Sequence, residues 1–378
     1  MNTDERALAV SVVPLETRRD TIVHIATAAD RLGYDAFFLP EAWAYDGTVL
    51  LAEVATRTRR IRPGTGIVNV WGRTAATIAM AAATLQAVSG GRFVLGLGAS
   101  TPQLAEGLHD VPFTAPVERL RHVIVQVRAL LAGDRIPLAA TPAARPLRLG
   151  IPAVPGPPIY VAGRTRASIH LTGELADGWL PFLFPRSRLG EGKRLLRDGA
   201  APRGTGGSLA VCPVIPTAVG DNGASARDRA AWFVIFYLTS MGEIYRRTLA
   251  RQGYAAEVEA VLAANPPRTT PVIPRGAEAL LGELTIFGPP AAARAQLASW
   301  YEAGASMPVL LLPPDLTGMR STGPCTRSGP RARHRKGQAP SLPGRWSAKW
   351  RVAWTTRSSA VISKRTLLEK PNGLQRVP

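Results

Sequence analysis

The residues of this chain that can do chemistry collect where short apolar runs stop. Glu41 follows the run DAFFL and Pro40. Asn69 follows the β-branched run at 64–70, and Ala99, Ser100 and Thr101 follow FVLGLG. Gly163 and Arg164 follow the run at 159–162. A carboxylate can carry a proton, an amide and hydroxyls can orient a polar ligand, and glycine-flanked amides beside an arginine suit an anion. His109 sits in a segment after Thr101, either touching a substrate or lying at the surface. Asn69 serves either a ligand or as a cap for the next segment. Gly96-Leu97-Gly98 hints at a dinucleotide fingerprint, but the third glycine is missing and Pro102 follows Thr101. No nucleophile elbow, triad pattern, P-loop, CxxC or HExxH competes for a site, and the five histidines are scattered, so no metal is expected. That absence fits chemistry in which a bound cofactor does the hard step and the protein positions it.

These residues need a scaffold that brings strand ends together. The stretch 60–101 supplies its pattern. A β-branched run is followed by an Ala-rich segment, 75–88, with Ile78, Ala82 and Leu85 at helical spacing. Ser89-Gly90-Gly91 ends that helix, and 92–98 is a buried strand. Strand, helix, strand at this distance is a right-handed βαβ unit. Strands at 7–13 and 35–39, with a helix at 17–32 between them, repeat the pattern, and a helix at 49–58 leads into a strand at 61–68. Further strands are expected at 159–162, 179–184 and 209–217, with an eighth at 284–287. The run 307–312 is either an accessory or the closing strand. In parallel α/β folds, ligands sit at the carboxyl ends of the strands. Irregular, proline-rich 134–158 and helical, aromatic 221–275 read as insertions. The aromatic cluster at 232–237 fits helix packing or a pocket wall.

The 378 residues, of globular composition, suit one large α/β domain or two ordinary ones. No apolar run is long enough to cross a membrane, the N-terminus does not resemble a signal peptide, and two distant cysteines fit a reduced cytoplasmic setting. The net charge of +19 is concentrated at the end: residues 318–378 hold 14 Lys/Arg and one acid. That basic tail reads as disordered. With Trp346, Trp350 and Trp354 it could hold nucleic acid, and then non-specifically.

The segments LGYDAFFLPE, IRPGTGIVNVWGRTAATIAMAAATLQAVSGGRFVLGLGAS, PPIYVAG, LTGELADGW and LTIFGPPAAARAQLASWYEAGASMPVLLLPP occur in order. Together they resemble the bacterial luciferase-like monooxygenases and oxidoreductases, particularly the branch that uses the deazaflavin coenzyme F420. The resemblance implies an α/β (β/α)8 TIM barrel over 1–317 with insertions near 134–158 and 221–275, followed by the tail at 318–378. It implies a backbone bulge, often with a non-proline cis peptide, at Ile67, Val68 and Asn69 against one face of the ring. It places the cofactor tail and substrate edge near Ala99, Ser100 and Thr101, and the phosphate arm against Ala162, Gly163 and Arg164. Where the family often has a histidine after the second strand, this chain has Ala42 and Trp43 after Glu41. Glu41 then becomes the candidate proton donor, and His109 is the other candidate for handling a proton.

The function expected is hydride transfer between coenzyme F420 and a small organic substrate. The alternatives are a reduced-FMN monooxygenase that uses oxygen and a catalytically impaired cofactor-binding protein. A second copy of the chain, as a homodimer, is a further expected partner.

Overall fold

The computed structural model describes residues 6–138, 141–152, 156–204, 209–267 and 271–313. The basic tail at 318–378 and its expected disorder lie outside them. In chain order the elements are β1 (Ala9–Ser11), α1 (Arg19–Arg31), β2 (Ala36–Leu39), α2 (Gly47–Arg57), β3 (Arg62–Thr65), β4 (Val68–Asn69), α3 (Ala75–Val88) and β5 (Leu95–Gly98). Then come α4 (Pro102–Gly107), α5 (Pro116–Leu131), β6 (Ile159–Val161), α6 (Arg166–Leu175), β7 (Gly178–Trp179), α7 (Leu189–Ala200), β8 (Ala210–Val211) and β9 (Val214–Val219). The chain continues through α8 (Gly223–Ser240), α9 (Glu243–Leu249), α10 (Ala255–Ala264), α11 (Glu278–Leu284), β10 (Ile286–Gly288), α12 (Pro290–Glu302) and β11 (Val309–Leu311).

All the pairings are parallel, and they close a ring. β1 pairs with β2 and β2 with β3. Gly64 bridges Val94 before β4 pairs with β5, and β5, β6, β7 and β8 follow in turn. β9 continues the run of β8 beyond Pro213 and pairs with β11, which returns to β1. Counting β3 with β4 and β8 with β9 as interrupted single staves, the described residues form an eight-stranded barrel. The run expected as the eighth strand is not in it. Among the described residues β10 pairs only with the far end of β9, and β11 closes the barrel. Both runs are short and apolar, so periodicity could not rank them. α4 and α7 occupy stretches that carried no helix in the sequence reading, and 134–158 is irregular where described.

The strands read as continuous apolar runs because both faces are covered. Ala9, Phe38, Val94, Tyr160, Leu180, Cys212 and Val309 fill the barrel interior. Val10, Phe37, Leu39, Leu95 and Leu97 face the surrounding helices, against Ile22, Val54, Ile78 and Leu120.

The entry to β3 hangs on one carboxylate. Asp30, in the last turn of α1, accepts from the amides of Arg59, Arg60 and Ile61 at 3.1, 2.9 and 2.7 Å. Burial opposes its ionisation, but these amides and Arg60 outweigh that and hold its carboxyl below the usual range. A depressed folded-state pKa gives stability that is complete above the unfolded value and lost as pH falls through the folded one. Asp30→Asn should therefore cost about 1–2 kcal/mol at neutral pH. It should also flatten the loss of stability below the ordinary aspartate range, read by urea unfolding across pH. Parallel wild-type and variant curves in acid would contradict this.

Candidate active site

The carboxyl ends of the strands surround a cavity of about 150 Å³. Its lower wall comes from strand ends: Ser11, Phe38, Ile67, Gly98, Ala162 and Leu311. Its far wall comes from the helical insertion, through Phe233, Phe236 and Tyr237 of α8, Met241, and Tyr245 of α9. The aromatic cluster thus packs among helices and walls the pocket as well. Tyr237 stands between Phe182, Phe236 and Tyr245, at ring-centroid distances of 4.7, 5.5 and 4.8 Å.

The expected strand at 61–68 is broken. The peptide bond Gly66–Ile67 is cis and lies between β3 and β4. Ile67 lines the cavity there. Val68 does not; it is buried among the core side chains behind the strand. Asn69 is buried too, and its Oδ1 accepts from the amides of Trp71 and Gly72 at 3.0 and 2.8 Å. Asn69 is thus the local cap that the sequence had left open.

That capping also places His109. With Oδ1 of Asn69 holding two amides, its Nδ2 is the donor to Nε2 of His109, 3.2 Å away. The neutral imidazole then carries its proton on Nδ1. The ring packs over Gly72, where a Cβ would come within 2.5 Å of it, and it does not line the cavity. The sequence left His109 either touching a substrate or lying at the surface; a hydrogen bond across forty residues, invisible to periodicity, seats it against Asn69 and Gly72, partly buried and off the cavity lining.

Glu41 reaches the rim, but its carboxylate is committed. Arg73 grips both oxygens, with Nη2 2.8 Å from Oε2, and the amide of Gly47 donates to Oε2 at 2.9 Å. Arg73 also bonds Asp46, the residue capping α2. Those hydrogen bonds to Glu41 hold the guanidinium well above its usual pKa, against the effect of burial. Protonating Glu41 would break a bidentate charge-assisted pair. The geometry therefore opposes the proton-donor role and makes Glu41 a brace between the loops after β2 and β4. Arg73, its partner, was not singled out for any role in the site from the sequence.

At the end of β5, Ala99 turns its carbonyl away to accept from the indole of Trp71 at 2.6 Å. Ser100 holds φ at 58° in the left-handed region and lines the cavity, as does Thr101. A non-glycine residue in that region marks a position the surroundings over-determine. Thr101 is 4% exposed and its Oγ1 has no partner among the described residues.

The end of β6 divides its expected trio. Ala162 lines the cavity. The carbonyl of Gly163 accepts from the indole of Trp179 at 2.8 Å, and a Cβ on Gly163 would meet the carbonyl of Ser168. The amides of Arg164 and Thr165 donate to Oγ of Ser168 at the capped start of α6. The side chain of Arg164 leaves this turn and enters the cavity wall. It donates to the carbonyl of Phe182, and its guanidinium lies 4.1 Å over the ring of Tyr245.

The cavity suits a flat ring with a polar arm. Phe38, Ile67, Leu180 and Phe182 supply apolar surface, and Gly66 and Gly98 keep the floor low. Thr101 and Arg164 bring buried donors with unused capacity. Among the described residues there is no cluster of histidine, cysteine or carboxylate side chains fit for a metal, and no helix long and apolar enough to cross a membrane.

The family model of the luciferase-like monooxygenases matches residues 8–307. A Mycobacterium tuberculosis protein, provisionally named a coenzyme F420-dependent oxidoreductase, is 30% identical over 321 residues, covering 76% of this chain and 89% of that protein. Among solved structures, the coenzyme F420-dependent tetrahydromethanopterin reductase of Methanopyrus kandleri superposes with a TM-score of 0.67 at 18% identity, over 81% of this chain and 93% of that one. The oxygenating component of the 3,6-diketocamphane monooxygenase of Pseudomonas putida, in complex with FMN, gives 0.63 at 16%, over 81% and 91%. With the barrel, the cis bond after β3 and the matched length in agreement, this chain belongs to the luciferase-like monooxygenase family and is an oxidoreductase of that family.

Proposed function

We propose that this oxidoreductase uses the deazaflavin coenzyme F420 and acts on a small organic substrate in the cavity at the strand ends. The observation that carries the reading is the cavity itself: an apolar floor at Ile67 and Gly98, with aromatic helices opposite. The choice of F420 over FMN leans on the 30% identical relative, whose name refers to that cofactor. When bound, the deazaflavin supplies a hydride donor or acceptor. Ile67 supports one face of the ring, and Ser100 and Thr101 border the substrate edge. The Ala162–Gly163 turn would receive the phosphate arm. The insertion aromatics shut out water, which strengthens every polar contact inside. Glu41 and Arg73 hold the rim loops rather than exchanging protons. The hydroxyls of Ser100, Thr101, Tyr237 and Tyr245 are left to donate hydrogen bonds to a reacting oxygen. Burial raises the pKa of both tyrosines, so they stay neutral donors.

The test is a titration of the full chain with F420 and with FMN, followed by reduction assays on alcohols, ketones and enones. Saturable F420 binding with F420-linked turnover is expected. FMN binding with oxygen consumption would replace this reading by the monooxygenase one. Cofactor binding without turnover would make the chain a cofactor-binding protein, and binding of neither cofactor would end the proposal.

A further inference from the structure

Arg164 is a buried cation with no carboxylate facing it among the described residues. Part of the residue reaches the surface, but Nε and Nη2 are sealed from solvent and have no hydrogen-bond acceptor there. Its neighbours are the carbonyl of Phe182 and the phenol rings of Tyr237 and Tyr245. Burial pushes the guanidinium pKa down, and the same burial raises those of the two phenols, so neither tyrosine supplies a counter-charge. Glu41, the carboxylate on the cavity lining, is taken by Arg73. Thr101 lines the same cavity from the end of β5 and also carries a sealed, unused hydroxyl.

A buried charge without a partner is costly, and a guanidinium offers paired N–H groups in the geometry that a carboxylate accepts. One positive charge in an apolar, aromatic wall is neutralised by one negative charge. The guanidinium lies against the carbonyl of Phe182 and over the ring of Tyr245, on the side of the insertion helices. We propose that Arg164, with Thr101, forms a subsite for the carboxylate of an acidic substrate, so that the substrate class is small organic acids. This specifies the substrate side of the reading above and rests on the cavity being the active site.

The probes are benzoate and its neutral counterpart benzamide, titrated by calorimetry into the full chain without cofactor, so the result does not depend on which cofactor binds. Wild type should bind benzoate at least tenfold more tightly than benzamide, and Arg164→Met should erase that preference. Arg164→Lys, which keeps the charge and loses the fork, should retain a reduced preference. Equal affinities in wild type, or an undiminished preference in Arg164→Met, would overturn the subsite. A second measurement separates a binding role from a purely structural one. Removing an unmatched buried charge should leave the melting temperature of Arg164→Met unchanged or raise it, while an arginine needed only for packing would lower it by several degrees. Titration with F420 and with 5-deazariboflavin, which lacks the phosphate, identifies the source of the anion. Unchanged affinity for both in Arg164→Met supports the substrate assignment. A loss confined to F420 would give the arginine to the cofactor's phosphate arm and overturn it.

Discussion

Gly98→Leu should weaken cofactor binding at least a hundredfold, about 3 kcal/mol, and leave a folded barrel. Gly98 is the last residue of β5 and forms part of the cavity floor. A Cβ there would stand 2.9 Å from Cδ1 and 3.0 Å from Cγ1 of Ile67, and 3.4 Å from Cβ of Ala162. Those neighbours line the cavity too, so the added side chain must grow into the space a ring would take. The close atoms belong to the flexible end of an isoleucine, and the overpacking cost stays near ~1–3 kcal/mol. Binding of F420 and FMN, followed by fluorescence, and thermal unfolding, followed by circular dichroism, measure the two effects separately. If Gly98→Leu bound cofactor as wild type does, the ring would have to lie elsewhere. If it failed to fold, the floor would be more rigid than the nearest atoms indicate, and Gly98→Ala would carry the test.

The parallel strands were legible because strands covered on both faces leave continuous apolar runs, such as FVLGLG and DAFFL; their closure into a barrel came from the resemblance to the family. The strand ends at Asn69 and Ala99–Thr101 were legible for the same reason, whereas the bulge at Ile67 and the place of Ala162 came from the resemblance to the family. What the side chains do at those ends depends on partners far along the chain. Glu41 meets Arg73 across thirty-two residues, and Asn69 meets His109 across forty. Neither pairing leaves a periodic trace, so Glu41 read as a free acid and His109 as either a substrate contact or a surface histidine. Phe233 and Tyr237 fall at helical spacing whether they pack a core or face a ligand. Only the position of α8 over the barrel mouth shows that they do both. Arg164 was grouped with its backbone neighbours by sequence adjacency, while its long side chain reaches a different wall.

The largest loss of stability should come from the seam beneath the cavity, between β3 and β5. There the backbone ladder is thin: Gly64 bridges Val94, and β4 resumes pairing only at Val68. Between them a side chain stands in for the ladder. The hydroxyl of Thr65 donates to the carbonyl of Gly96 at 2.8 Å and accepts from its amide at 2.7 Å. Thr65 is fully buried, so no water can replace it. The strands approach this closely because Gly96 has no side chain; a Cβ there would lie 2.0 Å from the carbonyl oxygen of Thr65. Thr65→Val keeps the shape and removes the hydroxyl, orphaning a buried donor and a buried acceptor at about 1–3 kcal/mol each. A loss of about 2–5 kcal/mol in urea unfolding is expected. Gly96→Ala must push backbone from backbone, and it should lower the yield of folded chain further still. Because Ile67 stands just after this seam and Gly98 just beyond it, any Thr65→Val protein that folds should also bind cofactor more weakly. A Thr65→Val chain as stable as wild type would show that the seam is held by the flanking pairs alone, and that the threonine bridge is incidental to the shape of the cavity floor.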